Sequence, residues 1–157
     1  MSDASFPPAP LHLHHFGISV TDLDRSLEFY CEVLGAAVVL PPNAADNFDG
    51  RRAVLMLSNS MGLDVNEFAG NAGDPFDVRR TGLDHLAFAA DSYEGLARWA
   101  AHLDECGVAH SPIRTVAGVG VQIFDFQDPD GIQLEFVHMD QGGSWAERKN
   151  DLAGAGS

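Results

Sequence analysis

"HFGISVTDLDRSLEFYCEVLG", His15 to Gly35, decides how this chain is read, because a later stretch answers it: "HLAFAADSYEGLARWAAHLDECG", His85 to Gly107. Each begins with His, runs through small and apolar residues, meets an Asp, becomes helical and stops at Gly. In the first copy Thr21 is the expected N-cap, with Asp24 three residues on as an acidic form of the capping box. Leu23, Leu27, Tyr30 and Leu34 then share one face at helical spacing, and Gly35 ends the run. In the second, Asp91 or Ser92 caps, Leu96, Trp99, Ala100 and Leu103 form the face, and Gly107 terminates. The aromatic residues on both stripes read as core.

Three strand-like runs follow each helix. They are "AAVVL", "RAVLML" and "GLDVNEF" in the first copy, and "VAHSPIR", "VGVQIFDF" and "GIQLEFV" in the second. The unit is β-α-β-β-β, used twice at an offset of about seventy residues. The fold class expected is α+β: two βαβββ modules, 11–68 and 83–139, forming an open, cup-shaped mixed β-barrel with flanking helices. Residues 69–82 read as a Gly/Pro/Asp-containing linker, and 1–10 and 140–157 as flexible ends.

Composition narrows the partners. The 157 residues carry 9 Lys plus Arg against 23 Asp plus Glu, a formal net charge of −14. Such a surface repels phosphate backbones and anionic lipid heads, so neither a nucleic acid nor a membrane is expected as partner. No apolar run approaches the roughly 20 residues that span a bilayer, and the first residues lack the basic start and apolar core of a signal peptide. Two cysteines, Cys31 and Cys106, are expected as thiols in a reducing cytoplasm.

Strand alternation sorts the side chains. Phe16, Ile18 and Val20 should pack on the first helix, leaving His15, Gly17 and Ser19 opposite. Leu86, Phe88 and Ala90 should pack on the second, leaving His85, Ala87 and Ala89. In "QDPDGIQLEF", Ile132, Leu134 and Phe136 pack, which leaves Gln133, Glu135 and Val137 on the far face. His15, His85 and Glu135 would thus look into the cup among small neighbours. Two imidazoles and a carboxylate suit a divalent cation with open positions: Fe2+, Mn2+, Ni2+, Co2+ or Zn2+. Among the histidines of "LHLHHF", His15 is chosen over His12 and His14 because the repeat aligns it with His85. His102, His110 and His138 have no first-copy equivalents and read as surface or rim residues.

At these residues the sequence resembles the vicinal oxygen chelate superfamily, which includes glyoxalase I, extradiol dioxygenases, methylmalonyl-CoA epimerase, fosfomycin-resistance enzymes and bleomycin-binding proteins. "HFGISVTDLDRSLEFYCEVLG", "LDHLAF" and "DPDGIQLEF" carry the likeness. The resemblance implies one divalent metal held by His15, His85 and Glu135, chelating a small molecule through adjacent oxygens. Glyoxalase I carries a fourth ligand on the last strand of its first module. Aligning Gly62 with Gly131 gives Asn66 at that place, which suggests three protein ligands. Asp125 replaces the Tyr of the extradiol pattern, and Val116 to Gly118 contain no His, so ring cleavage loses its usual helpers. Gly17 stands where the fosfomycin enzymes carry Thr.

Lyase or isomerase chemistry is therefore favoured. An Fe2+-dependent dioxygenase and a non-catalytic binding or resistance protein are the alternatives. Glu135 and Asp125 are the candidate catalytic groups, and Ser19, Met56, Asn66 and Gln133 the candidate substrate-binding residues. A homodimer that covers open sheet edges is expected.

Overall fold

A computed structural model describes residues 13–43, 48–58, 61–117 and 120–139. The expected flexible ends, 1–10 and 140–157, and His12 lie outside the described residues. The chain divides into two compact units, Met1–Gly73 and Asp74–Ser157. In the first, β1 (His15–Ser19) leads to α1 (Leu23–Glu28), then β2 (Ala37–Asn43), β3 (Gly50–Ser58) and β4 (Met61–Phe68). In the second, β5 (Leu86–Ala89) leads to α2 (Tyr93–Glu105), then β6 (Arg114–Val116), β7 (Val121–Gln127) and β8 (Gln133–Met139). Each unit is one four-stranded mixed sheet with a helix, so the class is α+β and the βαβββ repeat is present.

The sheets share one topology, β1-β4-β3-β2 and β5-β8-β7-β6. In each, the first strand pairs parallel to the last, and the remaining pairs are antiparallel. The last strand of each unit, β4 or β8, is therefore central. Its helix-facing residues are sealed: Leu63, Val65 and Leu134 are fully buried, and Phe136 nearly so. Trp99 of α2 stacks on Phe136 at 4.5 Å between ring centroids, and Phe136 stacks on Phe126 at 5.5 Å. Tyr30 is fully buried. Tyr30 is core packing, as its spacing predicts, whereas Trp99 is half-buried, with one face of its ring on Phe136.

Local signals held with corrections. Asp22, not Thr21, caps α1: its Oδ1 accepts from the Arg25 amide at 3.0 Å, while Thr21 Oγ1 accepts from the Arg25 guanidinium. Asp24 does not close a capping box but pairs with Arg51 of β3 at 2.8 Å. Ser92 caps α2, accepting from the Gly95 amide. After α1 the chain widens into a π-helical turn, Phe29–Val33, before Gly35 reverses it at φ +70°. Gly107 ends α2 with the same φ. The expected strand "VAHSPIR" is not one, because Pro112 cannot donate to a ladder. His110 makes a single bridge to Phe126, and pairing restarts only at Arg114.

The "DPDG" turn between β7 and β8 is tightly built. Asp128 is 5% exposed, and its Oδ1 accepts from the amides of Asp130 at 2.9 Å and Ile132 at 2.8 Å. Gly131 sits at φ +82°, a left-handed conformation that a side chain disfavours. The turn delivers the pair Gln127↔Gln133 and, two residues on, Asp125↔Glu135.

Candidate functional site

In each unit the polar residues of interest lie on the sheet face turned away from the helix, and cross-strand pairing arranges them in rows. One row of the first unit joins Met56, Gly62 and His15. The next joins Val54, Asp64 and Gly17, and the third joins Arg52, Asn66 and Ser19. A Cβ on Gly62 would stand 3.1 Å from the Cβ of His15, so glycine there leaves the imidazole its space. A Cβ on Gly17 would meet Asp64 Cβ at 3.7 Å and Asn66 Nδ2 at 3.5 Å. The floor between His15 and Asp64 is open because these two side chains are missing.

The second unit repeats the arrangement. Asp125, Glu135 and Ala87 form a row, and Gln127 and Gln133 form the row before it. His85 precedes the pair Leu86↔Leu134 by one residue and is level with Gln133. It stands immediately before β5.

These registers correct the alignment of the last strands. Glu135 lies opposite Ala87, two residues after His85. The residue opposite Gly17, two residues after His15, is Asp64. Asp64, not Asn66, is the first-unit counterpart of Glu135. The Gly62–Gly131 match misled because Gly62 already pairs within β4, whereas Gly131 belongs to the turn before β8. Asn66 instead donates its Nδ2 to the carbonyls of Ile18 and Asp64, at 3.2 and 3.3 Å. Glu67 faces the helix, as alternation requires, and accepts from the Leu23 amide at the start of α1. Each unit thus carries one imidazole and one carboxylate at matching places. The asymmetry of acid and amide is replaced by a symmetry of two acids.

The immediate surroundings suit a cation. His85 Nδ1 lies 2.5 Å from Asp84 Oδ1, which fixes the tautomer and leaves Nε2 available as a donor to a metal. His15 Nδ1 lies 2.7 Å from His14 Nδ1. His14 is exposed just ahead of β1. Asp84 and His14 were missed from sequence; the signal was the polar neighbour directly preceding each histidine. Glu135 is part-buried, and its carboxyl is pushed above the usual range, chiefly by desolvation. Asp125 adds to the rise, while His85 and Arg114 oppose it. A divalent cation would relieve that strain, so imidazole and carboxylate donors fit the implied metal. Both thiols lie elsewhere, Cys31 in the turn after α1 and Cys106 at the end of α2. Among the described residues no group of three or more His, Cys, Asp and Glu is gathered closely enough to hold an ion. In the second unit His85 acts on Glu135 through charge, and in the first the register sets Asp64 two residues beyond the partner of His15.

Asp125 is not a free acid. Its Oδ2 is ion-paired with Arg114 Nη1 and accepts from Ser111 Oγ at 3.3 Å, while its own amide donates to Ser111 Oγ at 2.9 Å. Ser111, Asp125, Gln127 and Gln133 line a shallow pocket of about 280 Å³. Arg52, opposite Asn66, lies over the Phe48 ring at 5.7 Å. Of the remaining histidines, His138 contacts the Ala90 carbonyl, His110 contacts Asp104 and the Ser111 carbonyl, and His102 packs on Trp99.

The sequence profile of the Glyoxalase/Bleomycin resistance protein/Dioxygenase superfamily matches residues 12–136. The chain belongs to this superfamily. The vicinal oxygen chelate protein is 30% identical over 125 residues to the uncharacterized protein YaeR of Escherichia coli (strain K12), across 78% of this chain and 92% of YaeR. It is 26% identical over 163 residues to a 2-epi-5-epi-valiolone epimerase from Actinomyces sp., across 90% of this chain and 86% of the epimerase. A solved glyoxylase/bleomycin resistance protein/dioxygenase domain from Frankia sp. EAN1pec superposes with a TM-score of 0.75 at 29% identity. That match covers 84% of this chain and all of the Frankia chain. No helix among the described residues is long and apolar enough to cross a membrane.

Proposed function

We propose that this vicinal oxygen chelate protein is a divalent-metal-dependent enzyme of the lyase or isomerase type. His15, Asp64, His85 and Glu135 would hold the ion, and the substrate would be a small molecule with two adjacent oxygens. The observation that carries this reading is the duplicated imidazole–carboxylate pair, set by equivalent registers in both sheets. Two neutral imidazoles and two carboxylates balance a divalent charge and contain no soft donor, which suits Fe2+, Mn2+, Ni2+, Co2+ or Zn2+. When bound, the ion supplies Lewis acidity to the chelating oxygens of the substrate.

The chain's own residues then have separable tasks. Asp84 orients the His85 ring through Nδ1. Glu135 would be the leading proton carrier, because a carboxylate beside the chelated oxygens can take up a proton when it is released from the ion. Asp125 takes a supporting part, because its carboxylate is engaged by Arg114 and Ser111. Ser19, Met56, Asn66 and Gln133 share the ligand-bearing faces and would bound the substrate. The likeness to an epimerase supports proton transfer over oxygen chemistry. The exposed edge strands β2 and β6 offer backbone that a second copy can cover, in keeping with a homodimer. A cytoplasmic setting accords with two free thiols.

The test is metal analysis of anaerobically purified protein, followed by a screen of hemithioacetals, 2-oxo acids and catechols. Turnover with Ni2+, Co2+ or Zn2+ and no oxygen demand is expected. Substrate-dependent oxygen uptake with Fe2+ would move the protein to the dioxygenases. Ligand binding undiminished by a chelator would make it a binding or resistance protein.

A further inference from the structure

One cationic group stands next to a proposed metal ligand. Arg114 opens β6, pairs in register with Ile123, and reaches diagonally to Asp125, which is itself paired with Glu135. Arg114, Asp125 and Glu135 therefore share one sheet face. The chain has only 9 Lys plus Arg, so an arginine on this face is not part of a general surface mixture. Among the described residues its hydrogen bonds leave from Nη1 alone, to Asp125 Oδ2 and to Ser111 Oγ at 3.1 Å. Among the described residues no partner accepts from Nη2 or Nε, and the side chain is 48% exposed. Asp125 and Ser111 thus hold one corner of the guanidinium and leave its remaining donors presented.

From this we infer that Arg114 is a specificity-determining residue that selects substrates carrying a carboxylate at or beside the chelating oxygens, such as 2-oxo or 2-hydroxy acids. The inference rests on the metal-dependent reading above. A guanidinium presents donors in a rigid plane that matches carboxylate oxygens two at a time, whereas a lysine offers only a point charge. Asp125 and Ser111 act here as positioning residues, since they fix the plane without meeting the substrate. The competing role is purely structural: the Arg114–Asp125 pair would merely fasten the three-residue edge strand β6 to β7.

The two roles are separated with two chelators on Co2+-loaded protein, followed by titration calorimetry and the visible Co2+ spectrum. Oxalate chelates through adjacent oxygens and presents further carboxylate oxygens outward. Acetohydroxamate chelates similarly but lacks them. Arg114→Met should weaken oxalate binding at least about tenfold, the scale of a lost charge-assisted hydrogen bond, while acetohydroxamate binding and Co2+ affinity change less than about twofold. Arg114→Lys keeps the charge and the tie to Asp125, and tests the inference if the methionine variant does not fold. It should lose oxalate affinity at least threefold, with acetohydroxamate unchanged. Oxalate affinity within twofold of the parent in a folded variant, or equal loss of both chelators, overturns the inference while leaving the metal site standing. Failure of the parent protein to take up Co2+ overturns both.

Discussion

Asp128→Ala tests how the fold aims Glu135. The Asp128 carboxylate is 5% exposed, and one oxygen accepts from two backbone amides, Asp130 at 2.9 Å and Ile132 at 2.8 Å. Alanine leaves both amides without that acceptor at the mouth of the β7–β8 hairpin. A hydrogen bond to a charged group contributes about 1.5–3 kcal/mol. With water recovering part of the loss at the turn, the net destabilisation is about 2–4 kcal/mol. For a chain of this length that lowers Tm by roughly 5–15 °C. Asp128→Asn retains an oxygen able to accept from both amides and should lose no more than about 1.5 kcal/mol. Urea denaturation of the metal-free protein, monitored by Trp fluorescence, measures both variants. Metal affinity should fall in Asp128→Ala as well, because the same turn sets the register that puts Glu135 opposite Asp125. If alanine and asparagine destabilise equally, or neither does, the carboxylate's amide bonds do not hold the turn.

Three further outcomes are expected. Glu135→Gln should stabilise the metal-free protein at neutral pH. The Glu135 carboxyl titrates above its reference value of 4.5 when folded, so the stability tied to its neutral form is complete below that value and lost as pH rises through the folded pKa; the gain on substitution should therefore grow across that window and vanish in acid. Asp24 shows the opposite sign: its pKa is held down by the hydrogen bond from Arg51, so the ion pair's contribution is lost as pH falls through the folded value, and Arg51→Met should return Asp24 to ordinary titration by NMR. Asp84→Asn should weaken metal binding by roughly 10–100-fold, the usual effect of removing a ligand's hydrogen-bond partner, and an unchanged affinity would mean that His85 is not oriented through Nδ1.

The architecture was legible because its signals are local and duplicated. Apolar spacing found both helices, glycine found their ends, and alternation sorted His15, His85 and Glu135 onto the faces away from the helices. What escaped notice depends on pairing between distant strands. Whether Asp64 or Asn66 answers to Glu135 is a question of register, and register is fixed by β1 against β4, some fifty residues apart. Aligning two glycines could not detect that one lies in a strand and the other in a turn. Asp22 displaced Thr21 as the cap by a single residue, a choice set by backbone torsion. Arg114 was invisible because its tie to Asp125 crosses strands.

The most direct measurement is the metal affinity and stoichiometry of four proteins side by side: the parent, His85→Ala, Asp64→Asn and Asn66→Ala. One ion per chain is expected in the parent. His85→Ala and Asp64→Asn should each weaken binding by at least about tenfold, since loss of a ligand should exceed loss of its supporting bond, and Asn66→Ala should stay within about threefold. Strong loss in Asn66→Ala with none in Asp64→Asn would contradict the register argument, and a parent that binds less than about half an equivalent, unaffected by His85→Ala, would contradict the metal site itself.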